Sequence, residues 1–242
     1  MLIAALMPRA RREPATLTPM RRRPTEELLD TDAGTPTEVA DSLADLEFFN
    51  RRFGGISTTR ALVESVAAQT HARRLSLLDV ASGSGYVPDR VQQEVASRDL
   101  TLNVTLLDRA ITHVRNGSTG HRVAADVFAF PFADNTFDIV SSCLFVHHLS
   151  PEQVPTFVTE ALRVSRHAML INDLIRHPVH LAVAYAGTPI YRSRITRNDA
   201  PASVRQAYTV EEMSALLKAT PAARFEIHRY YFFRLGVIAW KH

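Results

Sequence analysis

Apolar positions along this chain switch between two periods. From Thr37 they recur at helical spacing (Val39, Leu43, Leu46, Phe49, Phe53) until Gly54-Gly55 ends the run, which predicts a helix over about 37–53. A second helix, at roughly 58–72, carries Leu62, Val63, Val66 and Ala67 on one face. Leu75 to Val80 is a short apolar run broken only by Ser76 and the acid Asp79, and it leads into a Gly/Ser turn, Ala81 to Gly85; this is the mark of a buried parallel strand. Val87, Val91 and Val95 mark the helix that follows, with Pro88 in its first turn, where a missing N–H is tolerated. Further strands are read at Leu102 to Leu107, Val123 to Ala125, Phe137 to Ser142, Ala168 to Asn172, Phe225 to Tyr230 and Leu235 to Trp240, the last two closely joined. Ser150-Pro151-Glu152-Gln153 reads as a helix start with Ser150 at the N-cap, and Thr209 to Glu212 as a capping box opening a helix to about Ala219.

Strands alternating with helices predict an α/β fold: a doubly wound, mostly parallel sheet of seven strands with helices on both faces and one antiparallel strand near the C-terminus. Residues 1–36 hold Pro8, Pro14, Pro19, Pro24 and Pro36, which predicts a flexible, loosely packed lead; 37–73 form a helical cap and 74–242 the main domain. Residues 174–208 break the alternation with Tyr185, Tyr191, Tyr208 and five arginines, and are expected to form a lid inserted at the carboxyl end of the sheet.

With 46% hydrophobic and 22% charged residues in 242, the chain has a globular composition and enough length for one sizeable core, which excludes disorder and low complexity. Its single cysteine, Cys143, cannot form an internal disulfide or a thiolate metal cluster, so a reducing, cytoplasmic setting is expected. Met1 to Met7 is apolar, but its arginines follow it, the reverse of a secretory signal, and no segment is long and apolar enough to span a bilayer; Met20 is a second candidate start. Of 28 Lys/Arg and 25 Asp/Glu, six arginines and one acid lie in residues 1–23, leaving 22 basic and 24 acidic residues in the rest. A basic tail on a body without a basic face does not predict a nucleic-acid partner.

Ligands of open α/β sheets sit beyond the carboxyl ends of the strands, which draws attention to Asp79 with the glycine turn, Asp108, Asp126, Cys143 to His148, and Asp173. A lone aspartate there is more often a turn cap, but three behind a glycine-rich turn favour a ligand site. The dinucleotide fingerprint fails because Pro88 stands where a third glycine is needed, and no Lys-Ser/Thr follows the glycines as in a P-loop.

The runs L-L-D-V-A-S-G-S-G (Leu77 to Gly85), L-L-D-R (to Arg109), A-D-V-F-A-F-P-F-A-D-N-T-F-D-I-V (Ala125 to Val140), C-L-F-V-H-H-L (Cys143 to Leu149) and I-N-D-L (Ile171 to Leu174) together resemble a class I S-adenosylmethionine-dependent methyltransferase over about 75–174. The resemblance implies a Rossmann-like domain with S-adenosyl-L-methionine as cofactor and S-adenosyl-L-homocysteine as product. It implies cofactor contacts from Asp79, Ala81, Gly83, Gly85, Asp108, Arg109, Asp126, Val127 and Cys143, with Phe130 or Phe132 flanking the adenine. Gly83 and Gly85 admit close backbone approach, and Asp108 suits ribose hydroxyls. Ala81 replaces the usual first glycine, on the expectation that the position needs smallness more than positive φ.

For the acceptor, a methyl donor needs an aligned nucleophile and, for an oxygen, a base. His147 and His148 follow the fourth strand and Asp173 ends the fifth, so these three are the candidate catalytic residues; no metal ligand set is read. The segments from Arg23-Pro24-Glu26 through Asn50 to Gly55, I-N-D-L (Ile171 to Leu174) and Arg197 to Tyr208 are similar to small bacterial methyltransferases related to the quinone-biosynthesis group. With Phe49, Phe53, Tyr185, Tyr191 and Tyr208 they suggest a small, apolar, phenolic or polyketide acceptor methylated on a hydroxyl. Rival readings are C-methylation of a phenol or quinol ring and a non-catalytic cofactor-binding regulator; a homodimer is left open. A nucleic-acid methyltransferase is disfavoured, because Ser141-Ser142-Cys143-Leu144 stands where an N/D-P-P-Y/F tetrapeptide would be.

Overall fold

In a computed structural model, which describes residues 20–31, 33–109 and 121–242, the strands assemble into one seven-stranded sheet. These are β1 (Arg74–Val80), β2 (Thr101–Asp108), β3 (His121–Ala124), β4 (Phe137–Cys143), β5 (Ser165–Leu174), β6 (Arg224–Tyr230) and β7 (Arg234–Trp240), in the order β3-β2-β1-β4-β5-β7-β6. β1 pairs in parallel with β2 and β4, β2 with β3, and β4 with β5, while β7 runs antiparallel to β5 and β6. The helices are α1 (Pro36–Arg52), α2 (Gly55–Thr70), α3 (Tyr86–Ala96), α4 (Gln153–Val164), α5 (Pro178–Ala186), α6 (Arg194–Gln206) and α7 (Val210–Leu217).

The apolar strands are buried on both faces. In β5, Ala168 and Leu170 join Leu75, Leu77 and Ile139 in a core shared with Val63 and Val66 of α2 and with Val91 of α3. Met169 and Ile171 point the other way, into a core with Phe157 and Val158 of α4 and Met213 of α7. Period-2 alternation between two apolar cores is why such strands show no polar face in the sequence. The winding reverses between β1 and β4, and the crevice at their carboxyl ends is where a doubly wound sheet holds its ligand.

Local chemistry sets the boundaries. Gly54 has φ 87 and ends α1, and a Cβ on Gly55 would collide with Asn50, so α2 starts directly at Gly55, three residues before the expected position. Thr35 and Thr209 form complete capping boxes with Glu38 and Glu212. Regular helix in α4 begins only at Gln153, yet the bonds foreseen at Ser150 exist: Gln153 N–H donates to Ser150 Oγ (3.3 Å) and Ser150 N–H to Gln153 Oε1 (2.9 Å), across an intervening turn.

The inserted segment consists of α5, a 3-10 turn over Thr188–Ile190, and α6, which packs on α1 and on the turn Val146–His148. Residues 20–31, the described part of the lead expected to be loosely packed, have no regular structure before a 3-10 turn at Leu29–Thr31, yet they are hydrogen-bonded along α6 as a strap. Pro8, Pro14, Arg9, Arg11 and Arg12 of that lead, and the Met1 to Met7 run, fall outside the described residues. Among the described residues no helix is long and apolar enough to cross a membrane.

Candidate active site

The carboxyl ends of β1, β2 and β4, with α1, the strap and the insertion above them, enclose a cavity of about 860 Å³. That is near the upper end for small-molecule sites and leaves room for two ligands side by side. Asp79, Ala81, Gly83, Asp108, Arg109, Asp126, Val127, Cys143, His147 and His148 all line it. Gly85 and Asp173 do not: Gly85 opens α3 in a left-handed conformation, and Asp173 lies behind His147.

The turn after β1 is built on positive φ. Gly83 has φ 51, and a Cβ placed on it would meet no protein atom within 4 Å, so its open side faces the cavity. Ala81 has φ 53, which corrects the expectation that smallness is what the position requires: the backbone is left-handed there, and alanine holds it at a steric cost. Gly83 N–H donates to Asp108 Oδ2 at 2.8 Å, fixing the carboxylate at the end of β2. Asp126 partly serves the turn, its Oδ1 accepting the Phe128 N–H (2.8 Å). Phe128 lines the cavity; Phe130 and Phe132, the rings expected there, pack into the core instead, Phe132 edge-on to Phe137. Asp79 is 2% exposed, and burial, helped by the like charge of Asp108, pushes its carboxyl up to about 7 although Ser141 Oγ donates to it.

Arg234 is a site residue the sequence did not single out. It is 2% exposed, lines the cavity, and among the described residues is held by neutral groups: Phe53 O (2.9 Å), Asn50 Oδ1 (3.1 Å) and Asn172 Oδ1 (3.5 Å). Its Nη1 is 3.9 Å from Cys143 Sγ. Burial pushes the Cys143 thiol up to about 12 despite that guanidinium, so it is a neutral wall rather than a nucleophile.

At the far side of the cavity the turn Val146–His148 presents two imidazoles against the strap. His147 Nδ1 is 2.6 Å from Asp173 Oδ1, and its backbone N–H donates to Asp173 Oδ2 at 3.0 Å. His147 Nε2 faces Glu27 Oε1 at 3.5 Å. Burial alone would lower this histidine, but Asp173 and Glu27 outweigh it and raise it to about 10; the same pairing holds Asp173 and Glu27 below the usual carboxylate range against their own burial. His148 Nδ1 is 2.9 Å from Asp30 Oδ2, and its Nε2 is 3.9 Å from Glu27 Oε2.

Glu27 and Asp30 were absent from the sequence-derived set, and α6 is what places them. Asp199, Ser203 and Gln206 share one face of that helix. Asp199 accepts the Leu28 and Leu29 N–H groups (2.9 and 3.0 Å), and Ser203 Oγ and Gln206 Nε2 donate to Glu27 Oε1 (2.6 and 2.7 Å). Arg22 ties the strap to the histidine turn through His147 O and Leu149 O, both at 2.9 Å. Glu27, His147 and His148, for which the sequence suggested no metal role, bring one donor atom each to within 4.8 Å of the others.

The apolar wall differs in part from the expected aromatics. Phe49, Phe53 and Tyr191 line the cavity, with Phe49 and Tyr191 edge to face at 5.4 Å. Tyr185 is exposed, and Tyr208 is buried away from the cavity, its hydroxyl donating to Leu149 O. Phe232, from the turn between β6 and β7, completes the wall against Phe53 at 4.6 Å.

Residues 78–168 match the family profile described as a methyltransferase domain. No curated protein sequence matches the chain. Among solved structures, the plantazolicin methyltransferase BpumL, in complex with S-adenosylhomocysteine and a monoazolic desmethyl-plantazolicin analogue, superposes with a TM-score of 0.65 at 14% identity, over 89% of this chain and 94% of that one. A protein of Nostoc punctiforme PCC 73102 provisionally assigned as an O-methyltransferase gives 0.54 at 12% identity; 80% of this chain matches it and spans 59% of its length. One from Methanococcus maripaludis, provisionally assigned as an S-adenosyl-L-methionine-dependent methyltransferase, gives 0.53 at 15% identity, over 81% and 90%. S-adenosylmethionine is the cofactor of such domains, and the residues here fit it: an open glycine face, carboxylates for its hydroxyls, and a buried acid and guanidinium for its amino-acid end. Residues 78–168 are thus similar to a methyltransferase domain, and the chain has the fold of the class I S-adenosylmethionine-dependent methyltransferases.

Proposed function

We propose that this protein methylates a hydroxyl of a small, largely apolar acceptor of phenolic or polyketide type. The supporting observation is that one cavity joins the cradle of Gly83, Asp108, Asp126 and Val127 to the paired imidazoles, with Phe49, Phe53, Tyr191 and Phe232 walling the space. Bound cofactor supplies an electrophilic methyl on a sulfonium. Asp108, held by the Gly83 N–H, accepts the ribose hydroxyls, with Arg109 beside it; Asp126 and the Val127 N–H address the adenine edge. Asp79 and Arg234 take the ammonium and carboxylate of the methionine part, while Ala81 and Gly85 shape the turn and Cys143 walls the sulfonium.

His148, oriented by Asp30, takes the acceptor's proton. His147 is kept cationic between Asp173 and Glu27 and therefore positions the cluster rather than acting as the base, a change from the role expected of it. The apolar wall and the strap keep water from the aligned oxygen. Calorimetric titration with S-adenosylhomocysteine should give micromolar binding, and Asp108→Ala should weaken it about tenfold to a hundredfold, the loss of ~1.5–3 kcal/mol of charged hydrogen bonding. Mass spectrometry of reactions with phenols, quinols and phenolic lipids should then show a gain of one methyl, with fragmentation placing it on oxygen; no cofactor binding would overturn the proposal, and a methyl on ring carbon would favour C-methylation.

A further inference from the structure

The cluster facing the acceptor space has the make-up of a metal-ligand set. We propose that Glu27, His147 and His148 bind one divalent transition-metal ion, of the zinc or iron(II) type, whose remaining positions open to the acceptor's oxygen. The role given to the ion rests on the methyltransferase reading; the site itself rests on four observations.

The first is the donor set. Two imidazole nitrogens and a carboxylate suit zinc or iron, whereas magnesium and calcium take oxygen ligands. The second is spacing. Donors about 2.1 Å from a tetrahedral ion sit about 3.4 Å from one another. Here His147 Nε2 lies 3.5 Å from Glu27 Oε1, His148 Nε2 lies 3.9 Å from Glu27 Oε2, and all three donors lie within 4.8 Å, so closing on an ion takes side-chain movements of about an ångström. The third is an orphan. His147 Nε2 is buried and makes no hydrogen bond of good geometry among the described residues; it has only the long ion-pair contact to Glu27 Oε1 at 3.5 Å. A buried nitrogen is rarely left so, and an ion would satisfy it.

The fourth is the outer ring of partners. Metal-ligating histidines characteristically engage a carboxylate with their other nitrogen, which turns the ligating nitrogen inward. Both imidazoles do this, His147 through Nδ1 to Asp173 (2.6 Å) and His148 through Nδ1 to Asp30 (2.9 Å). Glu27 is steadied in the same way by Ser203 and Gln206. Three carboxylates thus surround two imidazoles. The nearby guanidinium of Arg22 is engaged by backbone carbonyls, and Arg109 acts on Asp30 from the cavity side. A dication would stand where the His147 Nε2 proton does now. With the ion bound, His147 is neutral and His148 is a ligand instead of the base, so the ion takes over that role: an acceptor hydroxyl bound to it breaks its O–H bond and releases the proton to solvent more readily, as metal-bound water does, and the oxygen is left as the nucleophile.

The test is titration of chelator-treated protein with Co²⁺ and Zn²⁺, followed by visible absorption and elemental analysis, with S-adenosylhomocysteine binding measured on the same samples. One equivalent of Co²⁺ should bind at micromolar or lower concentration, with a visible band that Zn²⁺ displaces. Glu27→Gln and His148→Ala should each weaken binding by at least about tenfold, and Asp30→Asn by about tenfold to a hundredfold, while S-adenosylhomocysteine affinity stays within about threefold. Binding only at millimolar metal, or binding unaffected by these substitutions, overturns the site and leaves the methyltransferase reading standing. Tight metal binding in a protein that does not bind S-adenosylhomocysteine supports the site and overturns the methyltransferase reading.

Discussion

His147 concentrates the electrostatics of the site in one side chain. Its pKa is raised from 6.5 to about 10 by Asp173 and Glu27 against the effect of burial, so the folded state holds a proton that the unfolded chain gives up first. The stability it contributes is complete below about pH 6.5 and is lost as pH climbs toward 10. Asp79 acts in a lower window: with its folded pKa near 7 against 3.8, stability declines between about pH 4 and 7 and is level above that. Urea midpoints of chelator-treated protein should therefore fall between pH 6.5 and 10, and His147→Gln should remove most of that slope; an unchanged slope would mean that another group titrates there. The two sides of the site were unequally legible. Asp79 and Asp108 stand at the carboxyl ends of their strands and Asp126 just past one, positions that chain order alone marks. Glu27 lies 120 residues from His147 in a proline-rich lead with no periodicity, so its partnership exists only once α6 is folded. Arg234 opens a strand whose every residue is buried, and nothing in its neighbours announces a guanidinium directed at the cavity.

Among elements, α6 decides whether the strap is ordered. Its Asp199, Ser203 and Gln206 are all inward-facing polar residues at helical spacing, a pattern present in the sequence as R-N-D-A-P-A-S-V-R-Q but masked by Pro201 within the helix. The insertion was recognisable as a break in the strand–helix alternation; what it holds was not, because its partner segment is largely irregular and carries no period of its own. Asp199→Ala would strand two backbone N–H groups of the strap, at Leu28 and Leu29. With charged hydrogen bonds of this kind contributing about 1.5–3 kcal/mol, the variant should lose roughly 2 kcal/mol in denaturant unfolding or, if the strap melts independently, show early amide exchange confined to residues 20–31. Methyl transfer should fall by about tenfold or more while S-adenosylhomocysteine affinity is kept, since Glu27 and Asp30 lose their place but the β1 and β2 ends do not. Unaltered exchange and turnover would show that Ser203, Gln206 and Arg22 hold the strap without Asp199.

Taken whole, the molecule separates its two binding tasks by origin in the chain. The cofactor cradle comes from the sheet and its turns, residues 79–128 with Cys143 and Arg234, stiffened by two apolar cores that close without help from residues 20–31. The acceptor side is assembled from remote pieces: the strap, α1, the turn after β4, the insertion and the β6–β7 turn. Such an assembly lets the first site survive loss of the second. Removing residues 1–30 takes away Glu27 and Asp30 and opens the cavity over His147 and His148, while Gly83, Asp108 and Asp126 stay in the chain. The truncated protein should bind S-adenosylhomocysteine within about threefold of the full chain and lose methyl transfer by about 10²-fold or more, the usual span for removal of a proton-handling group and its alignment. Parallel loss of both would mean that the strap supports the cradle, and that the sheet does not carry the cofactor site alone.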